Sequence, residues 1–226
     1  MRIFISVCLF LLWGCSSSLP ENPDGRLGTS FFPLKTGFYQ LYEIEQREYK
    51  LNGEVVDSVY QMKHLVVDSF QNQNGDYTFF IHRYLKVQEE WAFLSTWSAI
   101  KRPVNVLLYE ESTPYVKLAF PFALRKQWNG NASNTLDDEQ YTIDSLQQVF
   151  EYKGRSFENT TTVLQANIDD NILFKDYRAE IYAENKGMVY KELEQLEYCS
   201  DPDCLGQLII ISGIVKKQIL IESGFE

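Results

Sequence analysis

No apolar run in the sequence reaches the roughly 20 residues that a helical membrane span requires. The longest, positions 3–13, covers 11 residues and is interrupted by Ser6. Histidine occurs twice and cysteine four times, so His-based metal sites and Cys/His chemistries are short of parts. There is no Gly-x-Ser-x-Gly elbow, Gly-rich phosphate loop or dinucleotide fingerprint. Basic residues are the minority, 21 against 31 acidic, giving a net charge of −10 that excludes nucleic-acid binding and charge-driven attachment to anionic membranes. Aromatic residues are plentiful, with 15 Phe, 14 Tyr and 4 Trp among 226 residues, which excludes a disordered chain.

The short apolar run follows Met1-Arg2 and has the length of a signal-peptide core. It ends in Leu12-Trp13-Gly14-Cys15, with Leu three residues before the Cys in Leu12-x-x-Cys15, and resembles the lipobox of bacterial lipoproteins. The resemblance implies removal of residues 1–14 and attachment of lipid to Cys15, hence membrane anchorage through two or more acyl chains. Residues 15–30, which include Ser16-Ser17-Ser18-Leu19-Pro20-Glu21-Asn22-Pro23-Asp24, read as a lipidated flexible tether, and 31–226 as a single domain. Ser16, with no adjacent Asp, points to the outer membrane of a bacterial envelope.

Apolar alternation with period two dominates the rest. Tyr77, Phe79, Ile81, Leu85 and Val87 fall on one strand face, with Phe80, His82, Tyr84 and Lys86 on the other. Val104, Val106 and Leu108 repeat the pattern, as do Val116, Leu118, Phe120 and Phe122, and late in the chain Val215, Ile219 and Ile221 alternate with Lys216, Gln218 and Leu220. Asn52-Gly53 and Asn74-Gly75 predict type I′ hairpins joining strands at about 38–50, 54–71 and 77–88. Lys153-Gly154, Lys186-Gly187 and Ser212-Gly213 are lesser breaks of the same kind. Phe174–Glu184 suits either strand or helix, and strand is preferred. The fold class is therefore all-β: an antiparallel meander of long strands that curls into a barrel, half-barrel or sandwich.

Three phrases resemble uncharacterised Bacteroidota-type envelope lipoproteins: Phe32-Pro33-Leu34-Lys35-Thr36-Gly37-Phe38-Tyr39; Phe120-Pro121-Phe122 followed by Trp128-Asn129-Gly130-Asn131; and Tyr182-Ala183 followed by Gly187-Met188-Val189-Tyr190-Lys191-Glu192. The resemblance implies an exported, lipid-anchored antiparallel-β domain and no activity. Physically, the prolines suit strand edges, the glycines suit bulges or left-handed positions, and Trp128 suits the core with its indole N–H bonded.

Cys199 and Cys204 bracket a turn-forming insert, and in an exported compartment they predict a disulfide at a hairpin tip. His64 and His82 lie on adjacent strands; with residue numbers summing to about 149 across the turn they are not direct partners. Trp91 and Trp97, six apart, share a face on a regular strand and with Trp128 could form a stacking platform. Asp137, Asp138, Glu139, Asp169, Asp170, Asp201 and Asp203 read as turn acids, without the Asp-x-Asp-x-Asp-Gly spacing of a calcium loop. No catalytic residue, metal ligand or cofactor is expected. The reading is a non-enzymatic binding or structural domain, whose partner is an apolar or lipid-like small molecule or an envelope protein. The alternatives are an envelope hydrolase acting on carbohydrate or peptidoglycan, which needs carboxylates brought together from separate strands, and a surface interaction module.

Overall fold

A computed structural model describes residues 27–226; the signal segment, Cys15 and most of the tether lie outside the described residues. Twelve strands follow a short 3₁₀ turn at Thr29–Phe31: β1 (Phe38–Tyr49), β2 (Val55–Gln71), β3 (Tyr77–Val87), β4 (Glu90–Lys101), β5 (Asn105–Glu110), β6 (Thr113–Ala119), β7 (Gln127–Asn129), β8 (Gln140–Tyr152), β9 (Arg155–Asp169), β10 (Phe174–Ala183), β11 (Gly187–Tyr198) and β12 (Ile210–Phe225). All belong to one antiparallel sheet in the order β6-β5-β4-β3-β2-β1-β12-β11-β10-β9-β8-β7. The segment 174–184 is strand, and the three first strands match their expected spans to within a residue.

Bulges or register shifts interrupt eight of the eleven pairings, and each adds local twist. The sheet thereby curls into a nearly closed barrel. At the seam, Val116 N–H donates to Gly130 O at 2.8 Å, and the Trp128 indole N–H donates to Val116 O at 2.7 Å. Asn129 Oδ1 accepts from the N–H groups of Asn131 and Glu139, fixing the loop that carries Gly130. A Cβ on Gly130 would lie 2.3 Å from the Tyr141 ring, so only glycine allows this approach.

Alternating strand directions divide the connections between two ends. At one end, the segment before β1 packs Phe31 against Phe122 and sets Phe32 and Leu34 beside Phe38, Val66 and Ile81, closing the barrel with an aromatic plug. Lys101 Nζ donates to the carbonyls of Thr29 and Phe32, tying the plug to the wall. At the other end stand the tips of β1–β2, β3–β4, β5–β6, β9–β10 and β11–β12. The tip of β8–β9 folds over the outer face: the Phe150 and Tyr152 rings pack, tilted, against Tyr190, and the Arg155 guanidinium donates to Ile221 O.

That outer cover corrects the two-face reading of β12. Ile219 is buried in the same cluster as Phe157 and Tyr190, while Lys216, Gln218 and Leu220 form the inward face. The turns differ from expectation too. At Asn52-Gly53 and Asn74-Gly75 only the glycine is left-handed (φ 82° and 84°), and Asn52 accepts the Glu54 N–H, so these are longer loops with a left-handed Gly and not two-residue type I′ turns. Of the dipeptides read as turns, Lys153-Gly154, with φ of 48° and 76° between paired Tyr152 and Arg155, forms a two-residue hairpin, as Glu111-Ser112, with φ of 47° and 75°, does between paired Glu110 and Thr113. Ser212-Gly213 lies inside β12.

Candidate functional site inside the barrel

Between the plug and the opposite end, the barrel wall turns polar. β1 contributes Gln40 and Tyr42, β2 His64, β3 Arg83, β4 Trp97 and β5 Glu110, all continuing inward-facing rows of apolar residues; Lys117, Glu180, Lys191 and Gln218 come from β6, β10, β11 and β12. Together they surround a cavity of about 70 Å³.

Glu180 is the deepest charge. One oxygen, Oε1, takes Lys117 Nζ at 2.5 Å and Lys191 Nζ at 3.0 Å; the other accepts the Tyr182 hydroxyl at 2.6 Å. Lys117 also reaches Glu110 at 3.2 Å. Side-chain exposure rises from Glu180 (1 %) and Lys117 (5 %) through Arg83 (12 %) and Glu110 (21 %) to Lys191 (29 %), which marks a funnel opening away from the plug. Arg83 stacks its guanidinium 3.8 Å above the Trp97 ring and donates to Glu111 at 2.9 Å, where the Trp97 indole also donates. Lys216 lies one inward position from Gln218, over the Tyr60 ring at 5.9 Å.

Burial would raise the carboxyl pKa of Glu180 and Glu110, but the lysines outweigh it and hold both well ionised. Burial would likewise lower Lys117, yet Glu110 and Glu180 push it above the usual lysine value. His64 is driven down to about 3 by burial and by Arg83, Lys191 and Lys216, so it stays neutral. Burial lowers Lys216, and repulsion from Lys191 and Arg83 adds to it.

The residues singled out from sequence are scattered relative to this cavity. His64 pairs with Arg83, and His82 with Leu65, a residue sum of 147; His82 is on the outer face beside Tyr84 and Phe93. Leu94 is an extra residue at the β3–β4 bulge, so Trp97 points inward while Trp91 does not, and Trp128 is at the seam: no common platform forms. Cys199 and Cys204 are joined in a disulfide at the β11–β12 tip. Among the described residues the only cluster of metal-ligand type is Cys199, Asp201 and Cys204, and that disulfide occupies both sulfurs. Asp170 accepts the N–H groups of Ile172, Leu173 and Phe174, the role of a turn acid.

Lys117 was missed because Val116 and Leu118 suggested one apolar face, whereas the seam buries both sides of β6. Arg83 had a usable signal: it occupies the missing position in the Ile81–Leu85 row. Glu110 continues Val106–Leu108 in the same way. The third of the three phrases, Tyr182-Ala183 with residues 187–192, carries the cavity residues Tyr182 and Lys191.

No protein-family profile and no curated protein matches the chain. Among solved structures it is similar to a Bacteroides fragilis protein assigned as exported, with a YmcC-like fold (TM-score 0.42, 11 % identity, 86 % of this chain and 98 % of that one). It is likewise similar to a Parabacteroides distasonis protein assigned as a lipoprotein (TM-score 0.40, 11 % identity, the same coverages).

Proposed function

We propose that the chain is a lipid-anchored protein of the bacterial envelope, in the outer membrane, whose barrel binds a small ligand in its lumen without transforming it. The observation that carries this reading is the polar cavity itself: an end-plugged barrel concentrates buried, well-oriented charged groups around one internal space. The lipobox residues around Cys15 support the anchor. At about 70 Å³ the cavity is well below the ~300–1,000 Å³ of drug-sized pockets, so a lipid-like ligand would enter by its head and leave its apolar part outside. Glu110 and Glu180 do come from separate strands, as a hydrolase would need. Both are held ionised by lysines, the wrong state for a general acid.

Native mass spectrometry of the protein purified from a bacterial periplasm tests the binding. The expected result is an added mass of up to a few hundred daltons that is lost on denaturation; a bare mass after gentle purification contradicts it. Cys15→Ala should abolish incorporation of labelled fatty acid, and continued labelling removes the anchor.

A second reading has its own observation. On the outer face, Phe70 stacks on Phe80 at 5.7 Å, and His82, Tyr84 and Phe93 form a further aromatic group, with Phe93 58 % exposed. Such a band suits an envelope protein partner. Phe93→Lys would then break co-purification with that partner and spare lumen binding; an undiminished complex removes this reading.

A further inference from the structure

We propose that the lumen takes a small oxyanion, a carboxylate or phosphate group, held by Gln218, Lys191 and Arg83 of the cavity wall, with Lys216 one inward position beyond that lining; this rests on reading the lumen as the ligand site. The first support is charge. Four cations, Arg83, Lys117, Lys191 and Lys216, face one buried carboxylate, Glu180, and one half-buried carboxylate, Glu110. Glu180 is shared by Lys117 and Lys191, and Glu110 pairs with Lys117. The third nearby carboxylate, Glu111, sits at the β5–β6 tip with its side chain 67 % exposed and engages Arg83 alone among the cations. Among the described residues Lys216 has no carboxylate within ion-pairing distance, and burial with the repulsion of Lys191 and Arg83 outweighs the longer-range attraction of Glu110.

The second support is an unpartnered donor. Gln218 is 7 % exposed, lines the cavity, and its Nε2 has no hydrogen-bond acceptor among the described residues. Asn105 Oδ1 and Gln165 Nε2 share that condition but do not line the cavity. A buried amide donor left without an acceptor carries the desolvation cost of that group, which an acceptor oxygen from a ligand would offset.

These donors lie together. Gln218 is the direct cross-strand partner of Lys191, and Lys216 is the next inward residue on the same strand. Arg83 lines the same cavity from β3, with one nitrogen against the Met62 sulfur at 3.3 Å and another against the neutral His64 ring at 3.4 Å. Both are weak partners for a guanidinium. A cationic ligand would meet repulsion from Lys216, Lys191 and Arg83. A neutral one would satisfy Gln218 and leave Lys216 uncompensated. An oxyanion meets both demands, and the cavity has the size of such a group.

Calorimetric titration of the mature protein with butyrate, butyramide and inorganic phosphate, at constant ionic strength, tests the assignment. Butyrate or phosphate should bind at least tenfold more tightly than butyramide; whichever of the two is stronger identifies the anion as carboxylate or phosphate. Lys216→Met should weaken that binding at least tenfold and melt no lower than the parent, because it removes an uncompensated cation; a lower melting temperature contradicts the charge argument. Gln218→Leu should weaken binding as well, with the cation intact. Equal affinity for butyrate and butyramide, unaffected by Lys216→Met, would overturn the oxyanion and leave the lumen a site for neutral molecules. Failure of all three probes, together with a bare mass in native spectrometry, would overturn both readings.

Discussion

Replacing Lys117 by Met should destabilise the domain by about 3 kcal/mol. Lys117 is 5 % exposed and contacts both interior carboxylates, at 2.5 Å to Glu180 and 3.2 Å to Glu110. Breaking a buried ion pair by removing one partner costs ~3–5 kcal/mol, because the other charge stays buried without compensation. The low end applies here, since Glu180 keeps Lys191 at 3.0 Å and the Tyr182 hydroxyl at 2.6 Å. Met fills nearly the same volume, so little of the loss comes from a cavity. For a domain of this size ~1 kcal/mol corresponds to about 2–4 °C, so the melting temperature should fall by roughly 6–12 °C. Urea unfolding followed by tryptophan emission gives the free energy directly. The discriminating variant is Lys117→Met with Glu180→Gln. Neutralising the stranded carboxylate should restore at least ~1 kcal/mol relative to Lys117→Met alone. A single variant within ~1 kcal/mol of the parent, or a double variant less stable than the single, would refute the buried-charge reasoning.

Three further outcomes follow from the same structure. Gly130→Ala forces a methyl group into the Tyr141 ring and loosens the β6–β7 seam, so it should cost ~1–3 kcal/mol by overpacking and raise hydrogen exchange at Val116, whose N–H bonds to Gly130; unchanged exchange there would contradict the latch. His64, depressed to about 3 in the folded protein, contributes stability that is fully present above the ordinary histidine value of ~6.5 and is lost as pH falls from there toward 3, because the unfolded chain takes up the proton first. His64→Phe should flatten that part of the stability–pH curve in urea unfolding, and an unchanged slope would show that His64 is protonated in the folded state. Cys199 and Cys204 close a loop of sequence separation five, for which the chain-entropy estimate is about 2 kcal/mol, so Cys199→Ser with Cys204→Ser should leave a folded domain with a modest loss in calorimetry; collapse of the fold would contradict a tip staple.

The architecture was legible because a meander is local. Each strand pairs with its sequence neighbours, turn residues mark the joins, and period-two alternation sets the faces, so β1–β3 and the strand at 174–183 follow from the chain alone. Closure was not legible. Whether the sheet ends as barrel or sandwich depends on the sum of many bulges and on the contacts of Trp128 and Gly130 with a strand edge ten or more residues away. The cavity was legible only in fragments. Arg83, Glu110 and Gln218 stand in inward rows beside Ile81, Leu108 and Leu220, and a polar residue in such a row is the mark of a wet lumen. Two effects hid it: a single extra residue at a bulge reverses faces, as at Leu94, and the folded-back β8–β9 hairpin makes the outer face of β12 as apolar as the inner one. The Glu180–Lys117 contact joins residues 63 positions apart, beyond any local pattern.

A lumen both open to small anions and positively charged is measured by collisional quenching of Trp97. The Trp97 ring lies 3.8 Å from the Arg83 guanidinium and faces the cavity. Its emission is obtained as the difference between the parent and Trp97→Phe, and is titrated with iodide and with caesium at matched ionic strength. Iodide should quench this component efficiently and caesium hardly at all. Quenching by caesium as strong as that by iodide, or by neither ion, would contradict an anion-accessible cationic lumen.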